Sequence, residues 1–411
     1  MESLIVLAIP FFFLLIGIEL LYFYIKKQKG FYRLNDFINN ISLGIGNQVI
    51  ATLLKVLSFG IYIWIYSRFA QFHLPNTWWM GIITFVAFDF IYYWAHRFGH
   101  TISFFWGAHG VHHQSEDYNL SVALRQSWFQ NLFSTPLFLP LAIIGISPLM
   151  LGIVGGINTL YQFWIHTEAI RKMPRWFEFL FNTPSHHRVH HAINPQYIDK
   201  NHAGTLMVWD RLFGTYAEEV ETREIRYGIT KQLSSWSPAW ANFEFYAKYL
   251  RNLKFEKTFF AKFKMIFWQP PGWNAQKQVE ESVPEPNYER QKYNANTNIF
   301  NRVYCFAHFI IILAGTLAYL KNFNELSWTY KLLFAGILLF SIEIIGRIFE
   351  NKVWAVYGEY IRLSLVMFGL NWFYYFNYPS WILVMIISSS IAVAASFALY
   401  TYFLKTRLQK I

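Results

Sequence analysis

The stretch WWMGIITFVAFDFIYYWAHRFGH, Trp78 to His100, decides how this chain is read. From Trp78 to Ala95 it is almost wholly apolar, and at about 1.5 Å per helical residue it nearly spans a bilayer core of roughly 30 Å. It then ends on His96 and His100, which a spacing of four places on one helical face, a single turn apart. A membrane helix closing on two imidazoles implies a metal at the membrane edge. The composition agrees: of 411 residues 55% are hydrophobic, 21% aromatic and only 14% charged, a balance foreign to a water-soluble globule.

Outward from that helix lie further apolar stretches. Leu4 to Ile25 is long enough to span and too long for a signal-peptide core; Lys26, Lys27, Lys29 and Arg33 follow it, so its C-terminal end is read as cytoplasmic. Ile41 to Tyr66 reads as a second crossing, with Lys55 awkward in its middle: the lysine snorkels, faces a polar cavity, or marks a segment lying in the interface. Leu132 to Trp164 is broken by Gly145 and Pro148 into a helical hairpin. Four closing helices are predicted at Val303–Leu320, Leu332–Ile348, Tyr360–Phe376 and Trp381–Leu404, with Lys405, Arg407 and Lys410 behind the last on the cytoplasmic side. Between Thr167 and Asn298 the composition turns polar, and Lys277 to Asn298 reads as a linker. The expected fold is therefore all-α: a polytopic integral membrane helical protein with a cytoplasmic-side, histidine-rich dimetal catalytic part. Its regions are residues 1–77, N-terminal membrane helices; 78–300, the catalytic part; and 301–411, C-terminal membrane helices.

Lys and Arg outnumber Asp and Glu 35 to 24, a net +11 that in so apolar a chain reads as membrane anchoring, not as a nucleic-acid surface. The lone cysteine, Cys305, excludes an intrachain disulfide, a four-cysteine iron-sulfur cluster and any CxxC zinc site, which leaves nitrogen or oxygen donors for a metal. Such donors are abundant. His109, His112 and His113 form one HxxHH cluster, His187, His190 and His191 a second, and His166 follows the hairpin directly. Grouped imidazoles beside a membrane are costly without a partner, and neutral imidazole is the usual nitrogen ligand. There are too many for one ion, so two ions with open positions are the economical reading, with iron, copper and zinc all suited to imidazole. HExxH is absent, and no Glu stands three before a histidine, which separates this centre from catalytic zinc sites and soluble di-iron bundles.

Around these ligands the reading is more divided. His73 and His308 lack suitable neighbours and are assigned to structure; His186 is read as orienting a neighbouring ligand, and His202 as beside the ligands at most. Asp89, seven before His96 on the same face, either accepts a hydrogen bond from a ligand imidazole or serves a cap or polar cavity. Glu116, Asp117 and Glu168 read as exposed, solvated turn residues, Glu168 being kept as a candidate beside the site. Trp78, Trp79, Trp94, Trp106, Trp128 and Trp164 stand where they could line a lipid tunnel, or anchor at the interface.

With its HxxxH and two HxxHH boxes, followed by Trp209-Asp-Arg-Leu-Phe-Gly-Thr-Tyr216, the chain resembles the membrane-bound fatty acid hydroxylase and sterol desaturase superfamily. Within it, His109–Gln126, Gln162–Glu168 and Thr183–Asp210 are similar to the alkylglycerol monooxygenase branch, over roughly Trp78 to Tyr216. The resemblance implies a di-iron centre held by His96, His100, His109, His112, His113, His187, His190 and His191, with His166 matching a further histidine. It further implies hydroxylation of the carbon beside an ether oxygen, release of a fatty aldehyde and glycerol, and electrons from tetrahydrobiopterin. Where that branch often carries an aromatic residue before Ala203-Gly204, this chain has His202. No dinucleotide fingerprint or cytochrome-b5-like HPGG is present, so the electron donor is external and the partners are a lipid, dioxygen and that donor. Two rival readings stand beside this one: a sterol, carotenoid or fatty acyl hydroxylase or desaturase, and a metal-binding transporter, against which the histidines cluster at one membrane surface instead of along a path.

Overall fold

The computed structural model describes residues 4–408 other than 221, 223, 296, 379 and 381; Lys410 lies outside them. Among the described residues the chain is almost entirely helical: α1 Leu4–Ile25, α2 Leu34–Leu53, α3 Lys55–Phe69, α4 Trp78–Thr101, α5 Ser103–His113, α6 Gln130–Ile144, α7 Pro148–Trp164, α8 Arg175–Leu180, α9 Pro184–His190, α10 Val208–Leu212, α11 Pro238–Asn252, α12 Phe259–Trp268, α13 Ile299–Asn322, α14 Trp328–Phe349, α15 Ala355–Asn377 and α16 Ile382–Leu408. A two-stranded antiparallel hairpin pairs β1 Trp273–Asn274 with β2 Val279–Glu280.

Four helices, α1, α4, α13 and α14, are long and apolar enough to cross a membrane, and α2 with α3 forms a fifth candidate bent by 50°. This is a multi-pass membrane protein. On α4 the outward stripe Trp78, Ile82, Val86 and Phe90 recurs every four residues and is 80%, 57%, 41% and 36% exposed, as a lipid-facing surface requires. The same helix buries Thr84 and, toward its C-terminal end, Asp89, Tyr93, His96 and His100.

The second apolar stretch differs from the expectation of one straight crossing. It starts earlier, at Leu34, and breaks at Leu54, with Lys55 exposed as the first residue of α3. The reason lies in α2, which buries Asn35, Asp36, Asn39, Asn40, Ser42 and Asn47. A helix with so polar an inner face is held by protein, not by lipid. The hairpin is found as read, α6 ending on Gly145 at φ 113°, where a Cβ would lie 1.9 Å from the Phe72 carbonyl oxygen.

The contacts divide the chain into two compact units, residues 1–234 with 240–293, and residues 235–239 with 294–411. In the first, Phe12 and Ile16 of α1 pack with Leu120 and Phe163, and Tyr62 of α3 with the hairpin residues Leu141, Ala142, Met150 and Val154. The helices before residue 78 thus share a core with the histidine-bearing part. In the second unit, α13 to α16 pack each on the next. The stretch read as a linker is pinned to the first unit over part of its length: Lys292 pairs with Asp117 at 2.7 Å, and the Tyr293 N–H donates to Glu116 at 2.6 Å.

Candidate metal centre

α4 supplies His96 and His100, α5 supplies His109, His112 and His113, the turn after α7 supplies His166, and α9 with its last turn supplies His187, His190 and His191. All nine are at most 7% exposed. They form two groups, His96, His100, His109, His113 and His190 in one and His112, His166, His187 and His191 in the other, each with its ligand nitrogens within 4.8 Å of one another. Both HxxHH boxes are split in the same way. The two histidines four apart, His109 with His113 and His187 with His191, share a group, while the histidine between them crosses to the other. Helical geometry permits this split without dictating it: on one broad face, positions i and i+4 lie about 40° apart and position i+3 about 60° to the other side of i. The groups adjoin, the His113 and His191 rings stacking at 4.3 Å.

Nitrogen faces nitrogen within each group. The His109 Nε2 lies 3.0 Å from that of His96 and 3.1 Å from that of His113; the His187 Nε2 lies 2.9 Å from that of His166 and 3.2 Å from that of His191. The other ring nitrogen is often engaged by a carbonyl, which can only accept. Nδ1 of His96 donates to the His202 oxygen (2.8 Å), that of His112 to Arg125 (2.9 Å), that of His166 to Gln162 (2.8 Å) and that of His190 to Lys200 (2.9 Å). Holding the proton on Nδ1 leaves a lone pair on Nε2, so the Nε2 atoms of His112 and His166, 3.2 Å apart, confront one another lone pair to lone pair. A cation relieves that. Two nitrogens bound at right angles to one ion at about 2.1 Å stand roughly 3 Å apart, the spacing seen here. Buried Nε2 atoms of His100 and His190 and Nδ1 of His187 have no hydrogen-bond partner among the described residues. Burial favours the neutral ring, pushing His112 down to about 4 and His109, His113, His166, His187, His190 and His191 well below the ordinary value. The donor set therefore fits two metal ions, each with imidazole nitrogen only.

Residues 81–215, which hold all nine histidines, match the fatty acid hydroxylase family. Over 368 residues the chain is 34% identical to an alkylglycerol monooxygenase of Xenopus tropicalis, covering 88% of this chain and 80% of the relative. It is likewise 34% identical over 370 residues to that of Homo sapiens, covering 88% and 82%. The chain belongs to the alkylglycerol monooxygenase family. Similarity extends to a relative of the same name in Danio rerio at 33%, and no solved structure matches the chain.

In this family member two buried carboxylates hold the backbone around the ligands. Asp89 accepts from the N–H groups of Thr205 (2.8 Å) and Leu206 (2.9 Å), from Trp209 Nε1 (3.0 Å) and from Asn158 Nδ2 (2.7 Å). These four donors occupy it, and none is a ligand imidazole. Asp210 accepts from the N–H groups of His202 (2.8 Å) and Ala203 (2.7 Å) and from the Thr215 hydroxyl (2.7 Å). Since the His202 carbonyl orients His96, Asp210 acts on a ligand through the backbone. Sequence reasoning gave Asp210 no role, nor Arg125, whose guanidinium is buried and donates to Val111 O, Asn39, Asn40 and Gln114 while its own carbonyl receives His112. Nor did it single out Glu19 on α1, which accepts from the Leu120 N–H at 2.9 Å and from the hydroxyls of Tyr32 and Thr167. One signal was available: a carboxylate in an otherwise apolar span.

Glu116 and Asp117 are not solvated turn residues. Asp117 is 1% exposed and pairs with Arg33 at 2.9 Å and Lys292 at 2.7 Å; Glu116 pairs with Arg290 at 3.4 Å. Arg33, just before α2, and the returning segment with Arg290 and Lys292 enclose them. Glu168 is half-buried, accepts from the Tyr227 hydroxyl and lies 3.9 Å from Arg188. Of the tryptophans, Trp106 reaches the ligands, 5.3 Å from the His100 ring and 5.8 Å from that of His113, whereas Trp78 is 80% exposed. His186, outside both groups, is 3.3 Å from the Thr183 hydroxyl and packs on Tyr216; burial pushes it down to about 4. His202 also lies outside the two groups yet is fully buried, with neither ring nitrogen partnered among the described residues. Leaving buried polar atoms unpaired costs about 1–3 kcal/mol each.

Proposed function

We propose that the chain is an oxygen-dependent di-iron monooxygenase that cleaves the ether bond of alkylglycerols. The observation that carries this reading is the pair of adjoining all-imidazole groups, with the His112 and His166 lone pairs turned toward each other, beside the end of a helix that carries an exposed apolar stripe. A C–H bond beside an ether oxygen has no acidity for a general base to exploit, so nucleophilic and acid-base schemes do not apply to it. Two irons bound here would supply activation of dioxygen and insertion of one oxygen atom into that bond. His96, His100, His109, His113 and His190 would hold one and His112, His166, His187 and His191 the other. The protein's own part is to fix those rings through Arg125, Gln162, Lys200 and His202 carbonyls, and to keep the surroundings dry.

The overall chemistry consumes one dioxygen, two electrons and two protons, giving the hydroxylated ether and water; the resulting hemiacetal separates into fatty aldehyde and glycerol. The electrons come from an external donor, for which a reduced pterin, tetrahydrobiopterin, is the reading that the family resemblance supports. Lys26, Lys27, Lys29 and Arg33 behind α1 support a cytoplasmic position for the centre. Purified protein loaded with iron, given an alkylglycerol, oxygen and reduced pterin, is expected to release a fatty aldehyde carrying one atom of labelled oxygen. Product without aldehyde, a hydroxylated sterol or acyl chain from the same lipid mixture, would move the assignment to another lipid; no oxygen incorporation into any lipid would remove the monooxygenase reading.

A further inference from the structure

We propose that His202 is a sixth nitrogen donor of the five-histidine site, so that the two ions sit in unlike shells, six imidazoles against four. This rests on the dimetal reading above and goes beyond it. His202 is fully buried, and its ring centre lies 5.1 Å from that of His100 and 5.7 Å from those of His96 and His190. Ring separations within the five-histidine group run from 4.4 Å between His96 and His190 to 6.4 Å between His109 and His190. His202 thus stands nearer to three members of the group than His109 does to His190.

Its backbone is fixed by hydrogen bonds, whereas its ring is held by packing against Tyr93 and the neighbouring imidazoles. Asp210 accepts the His202 N–H, and the His202 carbonyl accepts Nδ1 of His96, so the residue is stapled to the site on both sides. Neither Nδ1 nor Nε2 has a hydrogen-bond partner among the described residues, and the same holds for the Nε2 atoms of His100 and His190 beside it. A neutral imidazole offers one lone pair and one N–H. An ion in the five-histidine group would give that lone pair a place to go once the side chain turns about its own torsions. Six nitrogens complete an octahedral shell. The open positions then belong to the other ion, held by His112, His166, His187 and His191.

Cobalt(II) tests this, because its visible absorption strengthens severalfold as the coordination number falls below six. Wild-type chain and His202→Phe, which keeps a ring but no nitrogen, are loaded with cobalt alone and compared for ions per chain and absorption per ion. The expected result is two ions in each, with absorption at least twofold stronger in the variant; His202→Ala with added imidazole should return to the wild-type spectrum. Two ions in both with superimposable spectra would overturn the assignment of His202 while leaving the dimetal centre standing. A wild-type chain that binds fewer than two ions would overturn the dimetal reading and this proposal together. If His202→Phe does not fold, the Ala variant with and without imidazole decides alone: a spectrum indifferent to imidazole counts against the ligand role.

Discussion

The protein buries polar clusters in two places, and they differ in kind. In the second unit Glu359 accepts from Arg362 at 2.6 and 2.7 Å and from the Tyr304 hydroxyl, and Arg362 also donates to Nδ1 of His308 at 2.9 Å. Each acid or acceptor there meets a donor, so the cluster is closed on itself. In the first unit nine imidazoles turn nitrogens toward one another, and the Nε2 atoms of His112 and His166 meet at 3.2 Å with both protons held on Nδ1. A closed network ties helices together; an acceptor-rich one needs a cation. Histidine count alone does not separate the two cases. The balance of donors and acceptors does.

Breaking the open cluster should have the largest effect. His112→Ala or His190→Ala is expected to reduce bound metal by at least one ion per chain and aldehyde release by more than about a hundredfold, read by metal analysis and product mass spectrometry. A variant that kept both ions would undo the contrast. Acidification probes the same cluster in metal-free protein. Burial holds His112 at about 4 in the folded chain against an ordinary 6.5, so between those values the unfolded chain binds the proton and the folded one does not. Stability of the metal-free form should be full above about pH 6.5 and fall steadily toward pH 4. A metal-loaded sample, whose lone pairs are occupied, should hold its melting temperature further down.

The closed cluster makes the complementary forecast. Glu359→Ala strands Arg362, a buried charge whose loss of partner costs about 3–5 kcal/mol, and should lower the melting temperature while two ions per chain remain. Metal lost in proportion to the destabilisation would mean that the two clusters are not independent. The smallest effect belongs to Asp210→Asn, which keeps the shape and weakens the hold on the His202 and Ala203 N–H groups. Affinity for the five-histidine ion should fall by roughly tenfold, the low end of what such supporting residues contribute, with fold and melting point little changed. Competition with a chelator would measure it.

The clustered histidines and most helices were legible in the sequence because their signals are local: apolar runs long enough to span, and imidazoles three and four apart. Which histidines share an ion was not. Spacing alone places His109, His112 and His113 near one face, but the partition depends on where α4 and α9 lie around α5. The bend at Leu54 was hidden for a similar reason. The asparagines of α2 look incidental until Arg125, far along the chain, is seen to bond Asn39 and Asn40. Asp89 was read as serving either a ligand imidazole or a cap or polar cavity, and spacing could not choose because its four donors include a loop more than a hundred residues away.

Glu19 carries one consequence for anyone who would trim this protein. Its carboxylate sits on α1 and grips both Leu120, seven residues past the first triple-histidine box, and Thr167, beside His166. The opening helix is thus a strut inside the reaction chamber's scaffold as well as a tether in lipid. A truncated chain starting after Ile25, made to ease purification, would arrive with the loop after α5 and the turn holding His166 unbraced.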